Sequence, residues 1–290
     1  MKIKFCCLFL FIFSKTYTQT TVSFTPEKDN SMFSEALNNS NGAGKILFSG
    51  RTEGHLNTEI RRALLKFNLS SIPANAQITS VSLQVSVVKA SDNGIGSHNF
   101  SLHKVLNNWG EGTSSGLGRG SAATTNDATW KYRLYSSSQW TTQGGDFVAT
   151  PSATSSIHYS DFPLEYGIWN SAGMIADVNA WIANAANNFG WVIIGQEATL
   201  GSAKGFSSRE ETIFPKPTLT ITYTQPCPNS LVLSNTIASG TYRSAEQITS
   251  TGTIANTANV TYTAGKSITL NGVFQVDNGA VFEAKIAGCL

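Results

Sequence analysis

Residues Asp177 to Thr224 read DVNAWIANAANNFGWVIIGQEATLGSAKGFSSREETIFPKPTLTITYT. The stretch opens on a short helical region and continues into the apolar run Trp191-Val192-Ile193-Ile194. It then crosses a polar loop carrying Ser207-Ser208-Arg209-Glu210 and closes on the alternating strand Thr218 to Tyr223. A short apolar run bounded by turn residues reads as a buried strand, and alternation reads as a strand with one face in water. A buried strand, a polar loop and an alternating strand in this order form the end of a β-sandwich.

The same signals recur upstream. Ile78 to Val88 (ITSVSLQVSVV) sets Ile78, Val81, Leu83, Val85 and Val87 against Thr79, Ser82, Gln84 and Ser86, a period of two. Ala63-Leu64-Leu65-Lys66-Phe67 is a compact apolar run followed by the turn Ser70-Ser71-Ile72-Pro73, and Phe100 to Val105 repeats the theme. Only Met174 to Ala186 has apolar spacing compatible with a helix. Many short strands with turn signals between them predict an all-β fold, an antiparallel β-sandwich of jelly-roll type with one short helix.

Of the 290 residues 41% are hydrophobic and only 13% charged, against about 25% charged in ordinary soluble domains. Ser, Thr, Asn and Gly must then cover the surface, as suits extracellular β-proteins. Lys2 and Lys4 precede the apolar run Cys6 to Phe13 and the polar exit Ser14 to Gln19, the pattern of a cleaved secretory signal over residues 1–19. The chain is therefore expected to be secreted, at the cell surface or free. Cleavage removes Lys2, Lys4 and Lys15 but no acid, so the net charge moves from +2 to −1. Attraction to nucleic acid is then not expected. No other segment approaches the roughly 20 apolar residues of a membrane helix, so no membrane insertion is expected.

The prolines of Gln225-Pro226-Cys227-Pro228 stop one strand and restart the chain, which places a boundary between a domain of residues 20–225 and a second of 226–290. All six tryptophans precede it. Beyond it Ile248, Ile254, Val260, Ile268, Phe274, Phe282 and Ile286 recur at short intervals among Gly, Ala, Asn and Thr, which predicts short strands stacked in rungs. With the signal removed only Cys227 and Cys289 remain. In an oxidising setting they are expected to pair, closing a loop of about 60 residues worth about 4 kcal/mol on the chain-entropy account.

The glycine-rich loop Gly110 to Gly120 lacks the Lys-Ser/Thr pair of a phosphate cradle and reads as a flexible surface loop. His55, His98, His103 and His158 are scattered, and there is no G-x-S-x-G elbow. Glu111, Asp127, Asp146 and Asp177 could pair in space for glycoside hydrolysis, or serve at turns, where acids are ordinary. No cofactor is expected, and nothing in the spacing decides for or against a metal.

The aromatic residues suggest more. Trp140, Tyr135 and Trp169 fall in or near predicted loops, and flat rings with a polar edge stack on sugar faces. Lys131 and Arg133 flank Tyr132 and could meet uronate or sulfate groups. These five residues form the expected carbohydrate site, with core packing as the alternative for the rings. Trp130, Trp181 and Trp191 are expected to fill the core. Arg62, Arg209 and Glu210 are expected to form a structural arginine–carboxylate pair.

The chain resembles the DNRLRE domain, also described as the carbohydrate-binding module family 96 domain, over roughly Val22 to Thr224. The resemblance rests on Arg62-Ala63-Leu64-Leu65-Lys66-Phe67-Asn68-Leu69-Ser70-Ser71-Ile72-Pro73, Trp109-Gly110-Glu111-Gly112-Thr113 and Asp127-Ala128-Thr129-Trp130. It continues through Asp177-Val178 with Ala180-Trp181, Asn188-Phe189-Gly190-Trp191 and Phe206-Ser207-Ser208-Arg209-Glu210. Arg209-Glu210 match the end of the family's name motif, whose earlier positions are replaced here by Phe206-Ser207-Ser208. The resemblance implies a β-jelly-roll module that binds polysaccharide, acidic algal polymers among them. The tail resembles the GCX or three-coathanger-stack domain through Ser239-Gly240-Thr241-Tyr242, Thr263-Ala264-Gly265-Lys266-Ser267-Ile268 and Ala284-Lys285-Ile286-Ala287-Gly288-Cys289. The leading expectation is a secreted, non-catalytic carbohydrate-binding protein with a polysaccharide partner. A structural or adhesive surface module without glycan binding is the alternative, and a polysaccharide-degrading enzyme is a third.

Overall fold

A computed structural model of the chain describes residues 18–53, 59–90, 96–159, 164–225 and 227–287. Most of the expected signal segment, and Cys289 with it, lie outside the described residues. The chain divides into two compact units, Thr20–Tyr223 and a second that includes Thr224–Leu290. Both are built of β-strands.

In the larger unit one curled antiparallel sheet of eleven strands supplies the architecture. Its path runs through Thr18–Phe24, Thr218–Gln225, Gln77–Ala90, Lys204–Ser207, Ile46–Arg51, Ile60–Lys66, Trp191–Ile194, His98–Lys104 and Ala153–Ile157. Glu165–Asn170 adds to Gln77–Ala90, and Lys28–Phe33 to Ile60–Lys66. Val81, Leu83, Val85 and Val87 from one half meet Ala63, Leu65, Phe100, Leu102 and Trp191 from the other in a single core. Inward alternation from both halves produces this sandwich.

The halves join at a kink in Ile46–Arg51. Residues Ile46 to Ser49 pair with Lys204–Ser207, whereas Gly50 and Arg51 pair with Arg61 and Ile60. Gly50 sits at φ +106°, and a Cβ there would lie 2.8 Å from the Cα of Ala203. Both the left-handed backbone and the close approach require glycine.

Ser86 departs from the alternation expected of Ile78 to Val88. It is buried, because the chain at Pro215 covers this part of the outer face and its carbonyl accepts the Ser86 hydroxyl at 2.8 Å. The helix spans Ala172–Ala183 and is capped by Ser171, whose hydroxyl accepts the Met174 N–H at 3.0 Å. Met174, Asp177, Val178 and Trp181 form its buried stripe. Ala185–Asn187 is a separate 3-10 turn, so the helix begins and ends earlier than the apolar spacing suggests.

The smaller unit holds three parallel ladders of three strands. Ser230–Leu233, Gln247–Ser250 and Ser267–Leu270 form the first, and Thr236–Ile237, Thr253–Ile254 and Gln275–Val276 the second. The third joins Gly240–Ser244, Asn259–Ala264 and Val281–Ile286. Each pass of the chain contributes one strand to every ladder, the stacked-rung arrangement expected from the spacing. Tyr242, Tyr262 and Phe282 stack edge-to-face through the rungs, and the Tyr262 hydroxyl meets Ser250 at 3.0 Å.

Gly50→Ala is expected to destabilise the larger unit by about 2 kcal/mol or more, from backbone strain and the contact with Ala203. An unchanged denaturation midpoint would refute the role given to the kink.

Candidate functional site

Residues 106–147 do not hang from the sandwich as open loops. They fold over the outer face of the sheet, where Trp109, Ala128, Trp130 and Trp140 pack with Met32, Leu64, Val105 and Val192 in a second core. The glycine-rich loop belongs to this layer and is tied down. Asp127 accepts N–H bonds from Thr113 at 3.1 Å and Thr124 at 2.7 Å and also takes the Ser114 hydroxyl.

This layer corrects the expected sugar platform. All six tryptophans are between 0% and 8% exposed. The Trp140 indole N–H donates to the Thr129 carbonyl at 2.9 Å. Trp169 faces inward from Glu165–Asn170 and donates to the Phe100 carbonyl at 2.8 Å. Neither ring offers a face to a ligand. Trp130, Trp181 and Trp191 also lie in cores.

Tyr135, Lys131 and Arg133 stay together on the hairpin of Tyr132–Leu134 and Ser138–Gln139, and all three are half-buried. Tyr132 and Tyr135 meet edge-to-face at 5.3 Å between centroids. The Lys131 ammonium lies 5.3 Å from the Tyr132 ring, and Arg133 donates to the Asn108 carbonyl at 3.1 Å. The hairpin thus presents two rings and two cations side by side.

A denser group of charges surrounds Arg209. Its guanidinium pairs with Glu111 at 3.0 Å and Glu210 at 3.1 Å and donates to the Glu27 carbonyl. Its backbone N–H donates to Asp29 at 2.7 Å, and the Asp29 N–H donates to Glu111 at 2.8 Å. Asp29 is sealed from solvent, and one of its carboxylate oxygens has no protein partner; one oxygen of Glu210 shares that condition. Burial pushes the Asp29 carboxyl well above the usual carboxylate range, and raises Glu111 and Glu210 as well. Nearby Lys28 lies 4.3 Å from the Trp109 ring centroid and donates to the Trp109 carbonyl. Burial, reinforced by the charge of Lys66, lowers its pKa to about 8.

The expected arginine–carboxylate pair is therefore divided. Arg209 and Glu210 are neighbours in sequence, so the link between distant segments runs through Arg209 to Glu111, Glu27 and Asp29. Arg62 does not join them. It forks onto Glu197 at 2.7 and 3.0 Å, donates to the Gly144 carbonyl at 2.9 Å, and stacks over Trp130 and Phe147. Asp29, Lys28 and Glu197 carry no motif, and only the register of folded strands reveals them.

The acids considered for hydrolysis hold the scaffold. Asp146 accepts from the N–H groups of Thr141 and Thr142, at 2.9 and 2.8 Å, and from Asn107. Asp177 binds the Trp191 indole at 2.8 Å and the Lys104 ammonium at 2.9 Å. Among the described residues no group of three or more His, Cys, Asp and Glu side chains could hold a metal ion.

Asp29→Asn keeps an acceptor for the Arg209 N–H and removes the buried charge. A raised folded pKa means that the unfolded carboxyl ionises first, so Asp29 weakens folding as pH climbs from about 4 through its folded pKa. The variant should gain stability over the parent across that range, the gap widening with pH. Parallel pH curves for parent and variant would refute this assignment. No family model matches the chain, and no curated protein matches it either.

Proposed function

We propose that this is a secreted, non-catalytic carbohydrate-binding protein that recognises a polysaccharide through the hairpin bearing Lys131, Tyr132, Arg133 and Tyr135. The observation that carries this reading is the hairpin's pair of half-buried rings flanked by two cations. Tyrosine rings present an apolar face and a hydroxyl to a sugar, and the cations suit uronate or sulfate groups. The resemblance to the DNRLRE domain supports the same reading, and the proposed signal over residues 1–19 supports export. The absence of catalysis is part of the proposal, supported by the structural use of Asp127, Asp146 and Asp177 and by the sealing of Asp29.

Retardation in affinity gels containing alginate, ulvan, pectin or neutral glucans tests it. Binding to at least one polymer is expected. Tyr135→Ala combined with Lys131→Ala should weaken it about tenfold, the loss of 1–2 kcal/mol typical of truncating interface anchors. Binding to an anionic polymer should weaken further with added salt. No retardation by any polymer would reject the proposal, and release of new reducing or unsaturated ends would replace it with a degrading enzyme.

A second reading has its own observation. Because every tryptophan is buried, the large aromatic platform expected of a glycan groove is missing from the described residues, which favours a structural or adhesive module if the gels show nothing. For the smaller unit we propose the Cys227–Cys289 disulfide, with Cys289 outside the described residues. Thiol titration of the secreted protein should find no free thiol before reduction and two after it; free thiols in the unreduced protein would exclude the bridge.

A further inference from the structure

The last rung of the smaller unit is an open edge. Ser267–Leu270, Gln275–Val276 and Val281–Ile286 end the three ladders, and among the described residues no strand pairs with their outer side. One rung earlier Val260, Tyr262 and Ala264 are sealed in the core, and their ladder partners are Phe282, Ala284 and Ile286. Phe282 is half-buried, Ala284 is exposed and Ile286 is 59% exposed. Val276, level with the sealed Ile254, is exposed as well. The positions that carry the core in the middle rung stay apolar in the last one, but most of them lie in water. Folds of stacked rungs ordinarily close on a polar cap, and a bare strand edge is a template for another strand.

The edge is written to match itself. Val281 and Ala287 donate their N–H groups to the Ala258 and Ala264 carbonyls at 2.9 and 3.0 Å. Alternate residues of a strand turn their backbone groups to opposite sides, so Phe282, Ala284 and Ile286 turn theirs away from the ladder. An antiparallel copy of the strand can oppose all three of these residues to its own three in one register, centred on Ala284. That register sets Phe282 against Ile286 of the second copy, and Glu283 against Lys285 of the second copy, twice over by symmetry. Centring on Glu283 or on Lys285 instead uses fewer of the free backbone groups and opposes like charges. Glu283 and Lys285 already bridge each other along the strand at 2.8 Å, so in the pair each gains a second partner of opposite sign.

Head-to-tail stacking is disfavoured by the same charges. It would continue the parallel ladders, in which Thr263 lies level with both Arg243 and Lys285. Lys285 would then fall beside Arg243 of the next copy, and like charges directly opposite are destabilising. We propose that the smaller unit is a dimerisation module, in which the strands Val281–Ile286 of two copies pair antiparallel about a two-fold axis at Ala284. Such an interface is closed and stops at two copies.

Sedimentation equilibrium of the secreted full chain over a range of concentrations should show reversible exchange between monomer and dimer. Glu283→Lys and Lys285→Glu each create two like-charge contacts and should weaken association about tenfold. Both side chains are about half exposed, so neither change touches the core. An equimolar mixture of the two variants should regain the original affinity as a heterodimer, and so should the double exchange Glu283→Lys with Lys285→Glu. A chain still monomeric at about 100 μM overturns the proposal, as does a dimer indifferent to both single reversals. A mixture or a double exchange no tighter than the single variants also overturns it, and growth beyond two copies would favour head-to-tail stacking in its place.

Discussion

Burial of the central strand Ile60–Lys66 on both faces is the constraint on which the larger unit depends. Ala63 and Leu65 point into the sandwich core, while Leu64 points the other way into the second core. A strand with water on neither side must be covered twice. The helix and the opposite half of the sheet cover one side, and residues 106–147 cover the other. Arg61 and Arg62 survive on this strand because each has a carboxylate and aromatic faces to receive it, Glu35 with Phe33 and Phe48 for one, Glu197 with Trp130 and Phe147 for the other.

That second cover explains what could and could not be read from the sequence. Alternation exposed the long strand at Ile78 to Val88, apolar spacing exposed the helix, and recurring apolar positions exposed the rungs of the tail, because each is a local pattern written by one element against its own core. The fate of Trp140 was not local. A tryptophan between turn residues looks like a loop ring until the whole loop is seen to lie on the back of a sheet. Trp169 was missed for a simpler reason. Gly167 beside it weakens the strand signal, and only pairing with Leu83 shows which way the ring points.

The Arg209 group has the same origin. Lys28 and Asp29 come from one edge strand, Glu111 from the covering layer, and Arg209 and Glu210 from the turn after Lys204–Ser207, so nothing in their spacing announces the meeting. Three acids around one guanidinium, with Asp29 sealed, is an expensive arrangement in free energy. It fixes where the covering layer lies against the edge of the sheet, since Glu111 cannot move away without leaving Arg209 and the Asp29 N–H short of a partner.

Gly50 places one strand in both halves of the sheet. Its first four residues complete the ladder with Lys204–Ser207, and its last two extend the ladder with Ile60–Lys66. Neither half can therefore peel away and leave the other with its hydrogen bonds intact. The two faces of the sandwich are mechanically one ribbon, and the unit should open as a single cooperative transition instead of sheet by sheet.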